Sequence, residues 1–235
     1  MPTPYPLDNP IWTALTTEQA SLSLGGLLAR RYPAEIGPLS AIPSQSPASY
    51  EALRTLAGTD GTVVLFLIEP PAIPPGWTLI RGGSLSQMVC AEPTVPVPIP
   101  DPLPPSLELR RLTPADVPAM LELTHLTEPG PFRHRTIELG IFYGIFQGNR
   151  LLSMAGQRLH LPNYIEVSAV CTHPDARGRG YARILMSRVM ADIRQRGKAP
   201  FLHVLPENTT AIRAYQYLGF TLRTTFHLTV LKNEG

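Results

Sequence analysis

The chain has 235 residues, 43% apolar and only 16% charged, with a formal net charge of +2. That composition excludes a disordered or polyelectrolyte chain, and so small a charge leaves no footprint for nucleic acid or a membrane surface. Cys90 and Cys171 stand outside any C-x-x-C or His/Cys metal spacing, so no metal site is expected and a reducing, cytoplasmic setting is.

The opening MPTPYPLDNP lacks the basic-then-apolar pattern of a signal peptide, and no run approaches the roughly 18 apolar residues of a bilayer span. Residues from Thr13 to Arg31 read as helical. Pro47-Ala48-Ser49 opens a second helix, from about Tyr50 to Ala57, stopped by Gly58. Asp60-Gly61 is a turn, and the β-branched run Thr62 to Ile68 is a buried strand. Trp77 to Ile80 and Leu85 to Val89 read as two further strands parted by Gly82-Gly83. Residues 1–91 therefore form a small α+β unit without a visible catalytic cluster.

Residues 92–105, EPTVPVPIPDPLPP, carry a proline at nearly every second place. Proline fixes φ and has no amide hydrogen, so this stretch is an extended spacer, or else a docking peptide, and marks a domain boundary. The second unit is 106–235. Leu107 to Leu112 is a strand, and Thr113-Pro114-Ala115-Asp116 caps a helix bearing Met120, Leu121, Leu123 and Leu126. The loop Glu128 to Thr136 follows. Strands come next near Ile141 to Phe146 and Leu151 to Leu159, joined by Gln147-Gly148-Asn149, and then from Tyr164 to Thr172. Gly180 to Arg196 is a strong helix, with Ile184, Leu185, Val189 and Ile193 at helical spacing and Gly197 as its stop. A strand at Phe201 to Leu205, a helix at Thr209 to Leu218 ended by Gly219, and one or two strands from Thr221 to Leu231 complete the chain.

The segment Val170 to Leu185, VCTHPDARGRGYARIL, carries the chemistry. A strand ends, glycines turn the chain, and a helix begins. Gly178 and Gly180 let backbone amides converge without side-chain obstruction. The new helix presents unpaired N–H groups and the positive end of its dipole, which together hold a phosphate; Arg177 and Arg179 add charge at the same mouth. The turn lacks the lysine-serine/threonine ending of a P-loop and the full dinucleotide spacing. From the residues alone, a phosphate cradle and a turn shaped only by its glycines both stand.

Arg177-Gly178-Arg179-Gly180-Tyr181-Ala182 resembles the R/Q-x-x-G-x-G/A signature of the GNAT superfamily of N-acetyltransferases. Asn208 to Tyr215 followed by Leu218-Gly219-Phe220 matches that family's N-x-x-A-x-x-x-Y-x-x-x-G-F. The resemblance covers about Leu107 to Leu231. AVCTHP, RGRGYA and PFLHV are similar to the C-terminal part of glycine N-acyltransferases. The resemblance implies an α+β fold: a mixed, mostly antiparallel GNAT-type sheet flanked by helices, with a second, smaller α+β N-terminal domain, residues 1–91, as a degenerate GNAT-like unit. It implies acetyl-CoA or another acyl-CoA as cofactor, bound by Val170, Cys171 and Thr172 on the strand, by Gly178 to Ala182 (Gly178, Arg179, Gly180, Tyr181, Ala182) with Arg177 and Arg183, and by Asn208. It also implies that the strand at Phe201 splays from the strand at Tyr164, opening a cleft for the thioester.

The implied activity is transfer of an acetyl group to the amine of a small molecule or peptide by direct attack in a ternary complex. Tyr215 matches the family tyrosine that protonates the departing sulfur; a phenol of pKa about 10 suits that task. Glu166, a carboxylate within the apolar YIEVSAV, is the leading base or water-positioner, with His173 and His203 as rivals. Arg133 and Arg135 in the loop either clamp a substrate carboxylate or pin the loop through Glu128 or Glu138. A non-catalytic acyl-CoA sensor is the alternative reading.

Overall fold

The structure is a computed structural model and describes residues 5–91 and 103–235; most of the proline-rich spacer at 92–105 lies outside them. The first α-helix is α1 (Pro10–Thr16), capped by the Asn9 side chain, which accepts the Trp12 amide. Three short strands, β1 (Leu24–Gly25), β2 (Arg30–Arg31) and β3 (Ser40–Ala41), form a small antiparallel sheet. Helix α2 (Pro47–Ala57) starts on a Ser46 cap and precedes β4 (Thr62–Leu67) and β5 (Trp77–Val89). Then come β6 (Glu108–Arg111), α3 (Val117–Thr127), β7 (Phe142–Gln147), β8 (Arg150–His160), β9 (Tyr164–Thr172), α4 (Tyr181–Gln195), β10 (Ala199–Val204), α5 (Thr209–Tyr217) and β11 (Thr221–Asn233).

The main sheet has eight strands in the order β4-β11-β5-β10-β9-β8-β7-β6. Every neighbouring pair is antiparallel except β9 and β10. The mixed, mostly antiparallel sheet flanked by helices that was expected is thus the observed fold. Strands from both sides of the proline-rich stretch share this sheet. β5 lies between β10 and β11, with Gln87 opposite His203 on one side and Thr224 on the other.

Two layers cover the sheet. Helix α4 buries Ile184, Leu185, Val189 and Ile193 on one face, against Ile145, Leu152, Ile165 and Leu202. That is the helical stripe visible in the sequence, and each fully buried aliphatic side chain stabilises by about 1.5–3 kcal/mol. On the other face α3 packs Met120 and Leu123 against Phe142, Phe146 and Met154. Beside it the N-terminal residues Leu7, Ile11, Leu15 and Tyr32 pack against Phe66, Leu159, Phe201 and Phe226. Among the described residues no helix is long and apolar enough to cross a membrane.

Two expectations are corrected. Thr13 to Arg31 is not one helix: α1 starts earlier, at Pro10, and ends at Thr16. Thr16 and Thr17 turn their hydroxyls back onto the Trp12 and Thr13 carbonyls, at 2.7 and 2.6 Å, where the chain leaves the helix. Trp77 to Val89 is one strand, not two. Gly82 and Gly83 stay in register with Thr229 and Leu228, because the long partner β11 carries the pairing through them.

Candidate active site

Helix α4 begins where the glycines place it. Gly178 and Gly180 hold φ of +77° and +78°, a region that side chains disfavour. Gly180 is the N-cap and offers no side chain to the helix end. The first helical hydrogen bond runs from the Ile184 amide to the Gly180 carbonyl at 3.1 Å. The amides of Tyr181, Ala182 and Arg183 are therefore left facing out of the helix, where the dipole favours an anion.

A cleft of about 460 Å³ opens there, lined by Gly178, Arg179, Gly180, Arg183, Ala214 and Tyr217. The Arg183 guanidinium stacks over the Tyr217 ring at 5.4 Å, and its Nε is buried without a hydrogen-bond partner. A buried donor without a partner is costly, and it fits a polar ligand in the cleft. Arg177 and Arg179 are exposed at the mouth; Arg177 Nε donates to the Thr172 carbonyl at 3.4 Å, and Arg179 Nη2 to the Asp175 carbonyl at 3.2 Å. Tyr181 turns inward and is buried among α4's core neighbours, so only its backbone faces the cleft end. The Asn208 side chain caps α5, accepting the Ala211 amide at 3.2 Å.

The strands part beside this helix end. Pairing of β9 with β10 stops at Glu166 and Phe201, although β9 continues to Thr172 and β10 to Val204. Beyond Glu166 the backbone groups of β9 on that side lack a strand partner. On its other side β9 bulges. Cys171 faces Met154 and Ser168 faces Gly156, so β9 holds one more residue than β8 between these pairs. Ala169, inside the bulge, takes a left-handed φ of +52°, which costs an alanine about 1 kcal/mol. Val170 packs toward the α4 layer and Cys171 toward the α3 layer. Burial pushes the Cys171 thiol up to about 11, so it stays protonated at neutral pH. Tyr215, on α5, packs edge-on against Phe220, with ring centres 6.2 Å apart, and burial raises its phenol to about 12.

On the α3 face a narrow pocket is walled by Pro131, Phe132, Phe142 and Ala169, with Arg158 and Ser168 among its polar members. Its free space is about 10 Å³, room for about one water. Behind it lies a buried polar chain that crosses five adjacent strands. Arg158 on β8 donates Nε and Nη2 to Glu166 on β9, at 2.8 and 2.6 Å. The Glu166 carboxylate also pairs with His203 Nδ1 on β10, at 2.7 Å. His203 Nε2 meets Gln87 Nε2 on β5 at 3.1 Å, and Gln87 Oε1 accepts from Arg223 Nη1 on β11 at 2.9 Å. Arg223 in turn pairs with Asp8.

Glu166 is fully buried, and it is the last β9 residue paired with β10. Burial alone would raise its carboxyl, but Arg158 and His203 outweigh that and hold it down at about 2. Burial lowers His203, with Glu166 opposing. Both carboxylate oxygens are taken, by Arg158 and by His203, and so acidic a group is a weak proton acceptor at neutral pH. The rival His173 sits in the turn instead. It accepts the Asp175 amide at 3.2 Å and meets Arg150 at 2.7 Å.

Of the two arginines in the loop, Arg135 takes the pinning alternative, with Nε and Nη2 at 2.7 and 2.8 Å from the Glu138 carboxylate. The loop also docks on the N-terminal segment. The Arg135 amide donates to the Glu35 carbonyl at 3.0 Å, and Thr136 Oγ1 to the Ile36 carbonyl at 2.7 Å. Arg133 is exposed. Arg158, Gln87 and Gln19 were not singled out in the sequence. Gln19 Nε2 donates to the Arg158 carbonyl at 2.8 Å and its Oε1 accepts from Tyr32 at 2.6 Å. For Arg158 and Gln87 the one sequence signal is a polar residue inside an apolar strand, which marks many positions without function; Gln19, in the turn after α1, carries none.

Residues 142–228 match a family model described as FR47-like protein. The whole chain is similar to a solved GNAT-family protein from Novosphingobium aromaticivorans, with 37% identity over 98% of this chain and 100% of that one, at a TM-score of 0.87. A GCN5-related N-acetyltransferase-like protein from Streptococcus suis shares the fold at 17% identity and TM-score 0.60, over 95% of this chain and 92% of that one. So does a GCN5-related N-acetyltransferase from Kribbella flavida, at 14% identity and TM-score 0.62, over 96% and 95%. None of the curated proteins matches the sequence.

Proposed function

The chain belongs to the GNAT family of acetyltransferases, and from that premise we propose that it transfers an acetyl group from acetyl-CoA to an amine in a ternary complex. One observation carries the reading: the open amide end of α4 abuts the place where β9 leaves β10. The Tyr181, Ala182 and Arg183 amides hold the diphosphate, with Gly178 and Gly180 giving it room and Arg177 and Arg179 adding charge. Arg183 Nε supplies a donor that the protein leaves unused. On the side that β10 has left, the backbone of Val170, Cys171 and Thr172 lines the arm, and an N–H there polarises the acyl carbonyl. Asn208 closes the cleft from the start of α5. The thioester, when bound, supplies the activated acyl group.

Tyr215 keeps its proton at neutral pH, as its raised pKa requires, and holds it ready for the leaving sulfur. Glu166 acts as the fixed anion that orients Arg158, and the amine's proton leaves through water at the loop 128–136. The acceptor occupies the Arg158 pocket. Glu166 takes one edge of the guanidinium, Nε and Nη2, which leaves the Nη1 edge for a carboxylate. The acceptor is then an amino acid or a peptide end, and the loop from Pro129 to Phe132 must yield to admit it. Residues 1–91 shape this side through Gln19, Glu35, Ile36 and Gln87. We read them as a GNAT-like unit without the turn, and AVCTHP, RGRGYA and PFLHV as the glycine N-acyltransferase-like subgroup.

Thiol release from acetyl-CoA across amino acids and their amides tests this. Release with acids at about tenfold higher kcat/KM than with amides is expected, and Tyr215→Phe lowers kcat while the Kd for CoA holds. Tight CoA binding without amine-dependent release points to a sensor instead.

A further inference from the structure

Gln87 belongs to β5, on the N-terminal side of the proline-rich stretch, yet it is fully buried between β10 and β11 and touches the polar chain of the site. We propose that Gln87 is a positioning residue: it locks His203 as the neutral Nδ1–H tautomer and so holds the Glu166–Arg158 pair in one charge state. The inference rests on the reading of that pair as part of the acceptor site.

The argument is one of donors and acceptors. Arg223 can only donate, so the Gln87 atom at 2.9 Å from its Nη1 is the amide oxygen. The Leu7 carbonyl can only accept, so the Gln87 atom at 3.1 Å from it is the amide nitrogen. The amide orientation is thereby fixed from two sides. Its second hydrogen points at His203 Nε2, 3.1 Å away, which must accept. The ring proton then sits on Nδ1 and is donated to Glu166 at 2.7 Å.

Protonating Nε2 would set two donors against each other, between side chains closed off from solvent. The rings of Phe66, Phe201 and Phe226 surround the imidazole, with centres at 4.8, 5.7 and 5.6 Å. The charged groups facing His203 are Glu166 and, beyond it, Arg158. Rotating the Gln87 amide to relieve the clash would break the bonds to Arg223 and Leu7 together. The N-terminal segment thus sets the ionisation of a group on the far side of β10.

The test is the ring nitrogen signal of His203 in long-range ¹⁵N–¹H spectra of the full chain, alongside the pH profile of kcat/KM. Wild type should show Nδ1–H and a bare Nε2 at pH 6. Gln87→Glu places an acceptor against Nε2, so the imidazolium should form at pH 7 and the acid limb of kcat/KM should move up by about one pH unit or more. CoA affinity should change less than about twofold, since α4 is untouched. An Nε2–H tautomer in wild type overturns the proposal whether or not any variant folds. So does a folded Gln87→Glu whose His203 signals and acid limb stay where they were. The lock with no thiol release from any acceptor overturns the acyl-transfer reading and leaves the tautomer assignment standing.

Discussion

The two sides of the site are built on opposite plans. The proposed donor side is local: one turn and one helix end, within residues 177–183, make a cradle in which Arg177 and Arg179 are exposed and the amides need no tertiary help. The proposed acceptor side is assembled from β8, β9, β10, β5 and β11, each giving one polar side chain to a chain of contacts that is buried except at its Arg223 end. A site of the first kind tolerates change in its surroundings. A site of the second kind depends on every strand being in place.

The sharpest way to break that contrast is Glu166→Gln. It leaves the buried Arg158 charge without a counter-ion, and loss of one partner from such a pair costs about 3–5 kcal/mol. Urea unfolding should show a loss of that order; a loss under about 1 kcal/mol would mean that the acceptor side is no more interdependent than the donor turn.

Acid should have a smaller effect on the same side. His203, buried, and His160, partly buried, are held neutral, with burial keeping their pKa values below the ordinary 6.5, at about 4 for His160. An unfolded chain takes up these protons first, so their stabilisation is complete above pH 6.5 and drains away as pH falls below it, toward about 4 for His160. Glu166 has the same sense one step lower: its contribution is complete above about 4.5 and is lost toward about 2. Unfolding midpoints at pH 7.5, 5.5 and 4 check this, and a flat series would contradict it.

The smallest change in stability is expected from Arg177→Ala with Arg179→Ala, within about 0.5 kcal/mol, because both side chains are exposed. Calorimetry should nonetheless find CoA binding about tenfold weaker. An unfolding shift as large as that of Glu166→Gln would erase the distinction.

The same contrast explains what the sequence disclosed. Gly178, Gly180 and the helix after them were legible because glycines at positive φ and a new helix leave marks within a few residues. Asn208 and Tyr215 were singled out only through the resemblance of their segment to the family's second motif. The bulge at Ala169 was not, since an alanine carries no sign that pairing will force it left-handed. Arg158 looked like one polar position of the strand Leu151 to Leu159, and its value appears only when β9 and β10 bring Glu166 and His203 beside it. Gly82-Gly83 read as a break because the partner that bridges it lies at the other end of the chain.

The place of β5 between β10 and β11 carries a cost in time. During synthesis this strand emerges well before either of its future neighbours, and one of its edges must remain unclaimed until β11 is made. Sequence-distant pairing of this kind slows folding. It also means that a nascent chain halted after β10 would present two half-finished borders to every other copy in solution.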